Sequence, residues 1–137
     1  MYWTDAGTNR IERSTMDGNS RTVLHSSGLS NVYGLTLDYQ NQTLYWVDYS
    51  NNRIERSSVT GSNRVTLRTG LRDPWSVTYH AGRLYWTDWY YDTIYSVLVA
   101  SPASITTITS LGANSHGVHV ISAERQPLGW LYQVMEY

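Results

Sequence analysis

The tetrapeptide YWTD at residues 2–5 recurs as YWVD at residues 45–48 and as YWTD at residues 85–88. The first two copies begin 43 residues apart, and the next two begin 40 residues apart. A repeat of this period indicates stacked supersecondary units, most often propeller blades or solenoid turns. Because one unit cannot bury its apolar faces alone, the number of neighbouring units decides which surfaces the protein can form.

The sequence around the second and third copies predicts four short β-strands in each repeat. They cover residues 34–39, 43–48, 53–59 and 64–69 in the second repeat, and residues 75–80, 83–88, 93–99 and 105–110 in the third. Turn residues separate them, for example Gln40-Asn41-Gln42 and His80-Ala81-Gly82. No stretch of ten residues has helical periodicity, so we expect an all-β meander.

The first repeat begins at its second strand, because residues 1–5, 10–16 and 21–26 align with strands two, three and four. A match to the missing strand one appears near the other end of the chain, as HGVHVIS at residues 116–122. Propellers commonly combine strands from both chain ends in one blade, which removes an exposed edge. We therefore expect three blades, formed by residues 1–30 with 116–122, by 31–72 and by 73–115, followed by a tail or degenerate strand at 128–137.

Composition excludes several classes of function. The formal net charge is −1 and nothing resembles a basic surface, so neither nucleic acid nor an anionic membrane is an expected partner. The absence of cysteine excludes disulfides, thiolate zinc sites and cysteine nucleophiles. No apolar run approaches the roughly 20 residues of a membrane span, and no signal peptide precedes the first motif. Asn41-Gln42-Thr43 is a glycosylation sequon that would be used only in a secreted chain.

Three longer stretches carry the repeat in register. They are YWTDAGTNRIERSTMDGNSRTVL at residues 2–24, GLTLDYQNQTLYWVDYSNNRIERSSVTGSNRVTL at residues 34–67 and DPWSVTYHAGRLYWTDW at residues 73–89. Together with the ending HVISAERQP at residues 119–127, this pattern resembles the LDL-receptor class B (YWTD) repeat over residues 1 to about 127. The resemblance is to the last three blades of an LDL-receptor-related propeller.

The resemblance implies half of a six-bladed β-propeller from an extracellular or secreted protein. It further implies a non-catalytic module that binds a protein or peptide and needs no cofactor or metal. The chain departs from the family in having three blades and no cysteine-rich module after Pro127. Its third repeat also has TIYSVLV at residues 93–99 where the other two have RIERS.

The motif residues are expected to be structural. Alternation along a strand points Leu44, Trp46 and Asp48 to one face and Tyr45 and Val47 to the other, and a blade between two neighbours buries both faces. The motif aspartates are predicted to pair with arginines, because a partly buried pair fixes register. The structural set is Tyr2, Trp3, Asp5, Tyr45, Trp46, Asp48, Tyr85, Trp86, Asp88, Arg10 and Arg53, with Arg13 and Arg56 as further partners.

Ligand binding is predicted on the propeller face where the loops enter strand one and join strands two and three. The residues before strand one are Tyr33, Trp75 and His116, and exposed Trp and Tyr side chains are enriched in interface hot spots. The other candidates on this rim are Asn31, Tyr49, Trp89, Tyr90 and Tyr91. In the Wnt co-receptors, to which the chain is similar, an Asn occupies the position of Tyr33, so that contact does not carry over.

Enzyme chemistry finds little support in the sequence. His116 and His119 would point to opposite faces of a strand, and no nucleophile elbow or phosphate-binding glycine loop is present. A lactonase-like metal site on the axis would need carboxylates at positions where this chain has Tyr33, Trp75 and His116.

Three blades leave two aromatic end faces, so we expect a homodimer of two three-blade halves in which residues 116–122 complete the partner's first blade. The alternative is an isolated or engineered half-propeller whose only partner is itself.

Overall fold

A computed structural model of the chain describes residues 1–112 and 116–120, and these residues form eleven β-strands and no helix. The strands are β1 (Tyr2–Asp5), β2 (Arg10–Arg13), β3 (Thr22–His25), β4 (Val32–Asp38), β5 (Thr43–Asp48), β6 (Arg53–Ser58), β7 (Val65–Arg68), β8 (Pro74–His80), β9 (Arg83–Asp88), β10 (Thr93–Leu98) and β11 (Ser101–Ser110).

The strands form three antiparallel sheets, which we call blades 1, 2 and 3. Blade 1 has the strand order β1-β2-β3, blade 2 the order β4-β5-β6-β7, and blade 3 the order β8-β9-β10-β11. This is the all-β, partial-propeller architecture that the repeat predicts. The bounds predicted for β5 and β9 are confirmed, whereas β11 begins at Ser101 rather than residue 105 and β2 ends at Arg13 rather than residue 16.

The motif strand β5 packs against a neighbouring blade on each of its faces. Leu44 and Trp46 belong to an apolar cluster shared with Ile11 of blade 1. Tyr45 and Val47 belong to a second cluster that includes residues of blade 3. The predicted alternation is therefore confirmed, and it explains why apolar side chains occupy consecutive positions in this strand.

Blade 1 lacks the inner strand that the other two blades have. Its strand β1 lies at the edge of the sheet, and no described residue pairs with its open side. Residues 116–120 are not a strand in the structure and lie against blade 3, where Thr87 Oγ1 donates a hydrogen bond to the His116 carbonyl (3.5 Å) and Val118 N–H donates to Ser76 Oγ (3.4 Å). The segment therefore does not complete blade 1 of its own chain. Residues 121–122 and 128–137 lie outside the described part.

The place of His116 beside blade 3 repeats that of Tyr33 beside blade 1. Thr4 Oγ1 donates a hydrogen bond to the Tyr33 carbonyl (2.6 Å), and Thr4 and Thr87 occupy the same position of the YWTD motif. Residue 116 therefore lies where the inner strand of a further blade would begin. At one end of the described chain, blade 1 has no inner strand. At the other end, residues 116–120 occupy the position where an inner strand would begin, but no further described blade follows them.

A buried histidine joins blades 1 and 2. His25 in β3 is 8% exposed, its Nε2 lies 2.9 Å from Ser57 Oγ in β6, and its ring centroid lies 5.2 Å from that of Trp46. Burial lowers the pKa of His25 below its ordinary value, and the nearby Arg64 lowers it further, while Glu55 opposes this effect. The neutral imidazole is therefore the form that fits between the blades.

Candidate functional site

The second residues of the inner strands β4 and β8 carry aromatic rings that stack across blades. Tyr33 follows the first residue of β4, and Trp75 follows the first residue of β8. Their ring centroids lie 4.3 Å apart with an interplanar angle of 26°. The His116 ring lies 5.3 Å from Trp75 at 72°, so the three predicted axial residues form one continuous row.

Two residues that directly follow the motif aspartates join this row. The ring centroid of Tyr49 lies 5.4 Å from that of Tyr33 and 5.8 Å from that of Trp75. The ring centroid of Trp89 lies 5.9 Å from that of Trp75 and 5.7 Å from that of His116. We call Tyr33, Tyr49, Trp75, Trp89 and His116 the aromatic cluster. Its members come from the entry to strand one and from the strand two–three turn, which meet at the same end of the blades.

The aromatic cluster borders an open groove of about 330 Å³. The groove is lined by Thr4, Ala6, Val32, Tyr33, Gly34, Trp75, Ser76 and His116. Desolvation raises the pKa of Tyr49 above its ordinary value, and the neighbouring Asp73 carboxylate, which accepts a hydrogen bond from the hydroxyl, raises it further. The site is therefore an aromatic surface with polar groups at its edge and no concentrated charge, which suits a peptide better than an ionic substrate.

The remaining predicted rim residues make other contacts. Asn31 N–H donates to Asn9 Oδ1 of blade 1 (2.6 Å), and its side-chain amide donates to Ser50 Oγ of blade 2 (2.8 Å). Asn31 therefore links blades 1 and 2. The ring centroids of Tyr90 and Tyr91 lie 4.9 Å apart, and Arg72 Cζ lies 4.1 Å from the centroid of the Tyr90 ring. These two tyrosines form a separate exposed pair.

The motif aspartates hold the ends of the second strands. Asp48 accepts hydrogen bonds from Ser30 N–H (3.0 Å) and from the Arg53 guanidinium (2.9 Å). Asp88 accepts from the N–H groups of Arg72 and Tyr91, both at 3.2 Å. Each carboxylate therefore fixes the segment that leads into strand one of its own blade.

The predicted pairing of Asp5 with Arg10 is not found. Asp5 Oδ1 accepts a hydrogen bond from Thr8 N–H (3.0 Å). Although Asp5 and Arg10 are cross-strand partners, they form no ion pair within residues 1–112 and 116–120. Arg13 donates instead to the Val59 carbonyl at 3.4 Å, and this contact links blade 1 to blade 2.

Sequence reasoning missed two ion pairs that cover the motif tryptophans. Arg21 Nη2 donates to buried Glu12 (2.8 Å) and its guanidinium lies 5.4 Å from the Trp3 ring centroid. In blade 2, Arg64 Nη2 donates to buried Glu55 (2.6 Å), and its guanidinium lies 5.7 Å from the Trp46 centroid. The signal in the sequence was the 43-residue spacing of Arg21 and Arg64, which matches that of the motif.

Two further expectations concern modification and metals. Asn41 is exposed in the turn between β4 and β5, and its side-chain amide donates to Asp38 Oδ2 (2.8 Å). Within the described residues, no group of three or more His, Asp and Glu side chains is placed to hold a metal ion. No helix in the same residues is long and apolar enough to cross a membrane.

Comparison with known proteins agrees with this architecture. Residues 1–39 match the model of the low-density lipoprotein receptor repeat class B. A chain in the crystal structure of a nidogen/laminin complex is similar at 25% identity and a TM-score of 0.51, and the match covers 80% of this chain and 58% of that chain. This chain therefore spans little more than half of that relative.

Enzymes with a similar fold also match. Virginiamycin B lyase from Staphylococcus aureus is 22% identical with a TM-score of 0.64, over 85% of this chain and 40% of the lyase. A streptogramin B lyase is 19% identical with the same TM-score, over 85% of this chain and 39% of that chain. At these identities the likeness is one of fold alone. Residues 1–39 therefore contain a repeat of the LDL-receptor class B (YWTD) type, and the three stacked blades are a partial β-propeller.

Proposed function

We propose that the chain is a non-catalytic module that binds an extracellular protein or peptide, and that two copies join into one six-bladed propeller. The observation that carries the assembly is the complementarity of the two ends. Within the described residues blade 1 has no inner strand, and residues 116–120 lie beside blade 3 where the inner strand of a fourth blade would begin. Blade 1 of a second copy is a three-stranded sheet that lacks this strand.

The side chains at the two ends also favour assembly. Trp3 is partly exposed, whereas its counterpart Trp46 is fully buried between blades. At the other end Tyr85 and Ile94 are partly exposed, whereas the corresponding residues of blade 2 are buried. Because two such ends can together supply an interface of roughly 1,200–2,000 Å², closure into a ring would bury apolar surface that water otherwise contacts.

The assembly predicts a dimer in solution. Size-exclusion chromatography with light scattering is expected to give twice the chain mass at micromolar concentration. Deletion of residues 113–137 should convert the dimer to monomer or to aggregate, because it removes the strand that enters the partner. Deletion of residues 128–137 alone is the matched control and should leave the dimer intact. A well-folded monomer of the full chain would refute the proposed ring.

The binding role rests on the aromatic cluster. Trp and Tyr dominate interface hot spots, and Trp75 contacts four other rings while remaining partly exposed beside the groove. Peptides selected against the full chain from a displayed library are expected to lose about 2 kcal/mol, or roughly 30-fold in affinity, on the Trp75→Ala variant. Tyr39→Ala removes an aromatic group that lies outside the cluster and is 78% exposed, more than Trp75, and it should not change the affinity.

The outcomes of this selection separate the proposals. Peptides that bind the Trp75→Ala variant as tightly as the original would show that the aromatic cluster is not the binding surface. A stable dimer that selects no peptide would favour a role limited to self-assembly. By family resemblance the module would act outside the cell, where a protein ligand and glycosylation of Asn41 are both accessible.

A further inference from the structure

Two arginines of blade 2 occupy a site between blades 1 and 2. Arg53 donates from Nη2 to Asp48 (2.9 Å) and also to the Gly28 carbonyl. Arg64 donates to Glu55 (2.6 Å) and to the Gly28 carbonyl (3.1 Å). Two guanidinium groups therefore neutralise two buried carboxylates beside the Trp46 ring, and both also bond to the backbone that leads into blade 2.

Blade 3 has the same frame without the two cations. The register pairs Thr93 with Asp88 as it pairs Arg53 with Asp48, so Thr93 stands in place of Arg53. The partner of Trp86 on β10 is Tyr95, where the partner of Trp46 is Glu55. By the pairing of the outer strands, Ile105 takes the place of Arg64.

The space that the arginines would fill is open in blade 3. A pocket of about 160 Å³ is lined by Gly70, Leu71, Trp86, Asp88, Tyr91, Tyr95 and Ile105. The Trp86 and Tyr95 rings lie 5.5 Å apart at an interplanar angle of 29° and form an aromatic wall. No described residue donates a hydrogen bond to the Gly70 carbonyl, the counterpart of the Gly28 carbonyl in blade 2.

The pocket retains an uncompensated carboxylate. Asp88 is 2% exposed, and its hydrogen bonds come from the neutral N–H groups of Arg72 and Tyr91. Among the described residues it has no ion-pair partner, whereas Asp48 has Arg53. A buried carboxylate is stabilised most by an opposite charge. In blade 2 two cations balance two carboxylates, whereas in blade 3 no described cation balances Asp88. The net charge of the blade 3 site is therefore more negative by one.

We propose that this pocket binds one guanidinium group, supplied by an arginine side chain of a protein or peptide partner. A guanidinium is planar, stacks on aromatic faces, and can donate at once to a carboxylate and to a carbonyl. Within the same chain, blade 2 holds its guanidinium groups against the corresponding carboxylate, indole and glycine carbonyl. The pocket lies between blades 2 and 3 of one chain, so the inference does not depend on the dimer or on the aromatic cluster.

The test uses a matched pair of probes and the full-length chain. Isothermal titration with N-acetyl-arginine methylamide is expected to show saturable binding. N-acetyl-citrulline methylamide has nearly the same shape without the charge, and we expect it to bind at least about tenfold more weakly, because hydrogen bonds between charged partners are roughly twice as strong. Equal binding of the two probes, or displacement of the arginine probe by an equal concentration of sodium chloride, would overturn the proposal.

A variant that fills the pocket from within provides the second arm. Thr93→Arg places a guanidinium opposite Asp88, as Arg53 lies opposite Asp48, and should abolish binding of the arginine probe while the circular dichroism spectrum is unchanged. Thr93→Gln adds a long uncharged side chain and controls for the lost hydrogen bond from the Thr93 hydroxyl to the Tyr91 carbonyl (2.7 Å). This variant should bind at least tenfold more tightly than Thr93→Arg. A folded Thr93→Arg variant that binds the probe like the original chain would show that the pocket is not the site.

Discussion

Replacement of Gly34 by alanine is expected to destabilise the protein by about 3 kcal/mol, at the upper end of the cost of overpacking. A Cβ on Gly34 would lie 2.6 Å from Val77 N and 2.8 Å from Ser76 Cα. Both atoms belong to the backbone of β8, so no side-chain rotation can relieve the contact. The inner strands of blades 2 and 3 would have to move apart at this point.

The measurement is the urea midpoint at one fixed protein concentration, because the stability of an assembling protein depends on concentration. Gly7→Ala is the matched control. Its Cβ would meet only the Asp5 carboxylate oxygen at 3.3 Å, and we expect a change within about 0.5 kcal/mol, as for an ordinary surface substitution. Similar midpoints for the two variants would show that the blades can separate at Gly34 without cost.

Replacement of Asp48 by alanine is expected to cost about 3–5 kcal/mol, the range measured when one member of a buried ion pair is removed. Asp48 is fully buried and accepts bonds from Arg53 Nη2 (2.9 Å), Ser30 N–H (3.0 Å) and Asn51 Nδ2 (2.8 Å). Its loss leaves the Arg53 charge near Glu55, which lies 3.5 Å away and already pairs with another arginine.

Asp88→Ala is the natural comparison, because it removes the same motif carboxylate from a blade that lacks the arginine. We expect a smaller loss of about 1–3 kcal/mol, since two backbone N–H groups lose an acceptor but no described cation loses its partner. Urea denaturation of both variants decides the point. Equal losses at the two positions would mean that Arg53 adds nothing to the role of the motif aspartate.

The repeat pattern predicted the blades because strand formation here depends on local alternation and turns. The bounds of β5 and β9 follow directly from the motif and from the turn residues that flank it. The local pattern does not decide pairing that depends on distant residues. Residues 116–120 match strand one in pattern, and in the described chain they lie against blade 3 without forming a strand, so their place in blade 1 of a partner stays a prediction.

The candidate site was only partly visible in the sequence. The axial positions Tyr33, Trp75 and His116 follow from repeat alignment, and the structure brings their rings together. The contribution of Tyr49 and Trp89 to the same cluster depends on how closely the turns approach the inner strands, which alignment alone does not fix. The sequence showed that the third repeat departs from RIERS, but only the structure shows that the missing arginines leave a pocket at Asp88.

The residues along the chain determined that this protein consists of YWTD-type blades, because period, alternation and turn chemistry act over a few neighbouring positions. Tertiary structure alone decided which apolar faces are covered, which carboxylates receive a cation and which remain without one. These properties depend on the distance between blades that are about forty residues apart in the sequence, and that distance is set by packing rather than by any local pattern.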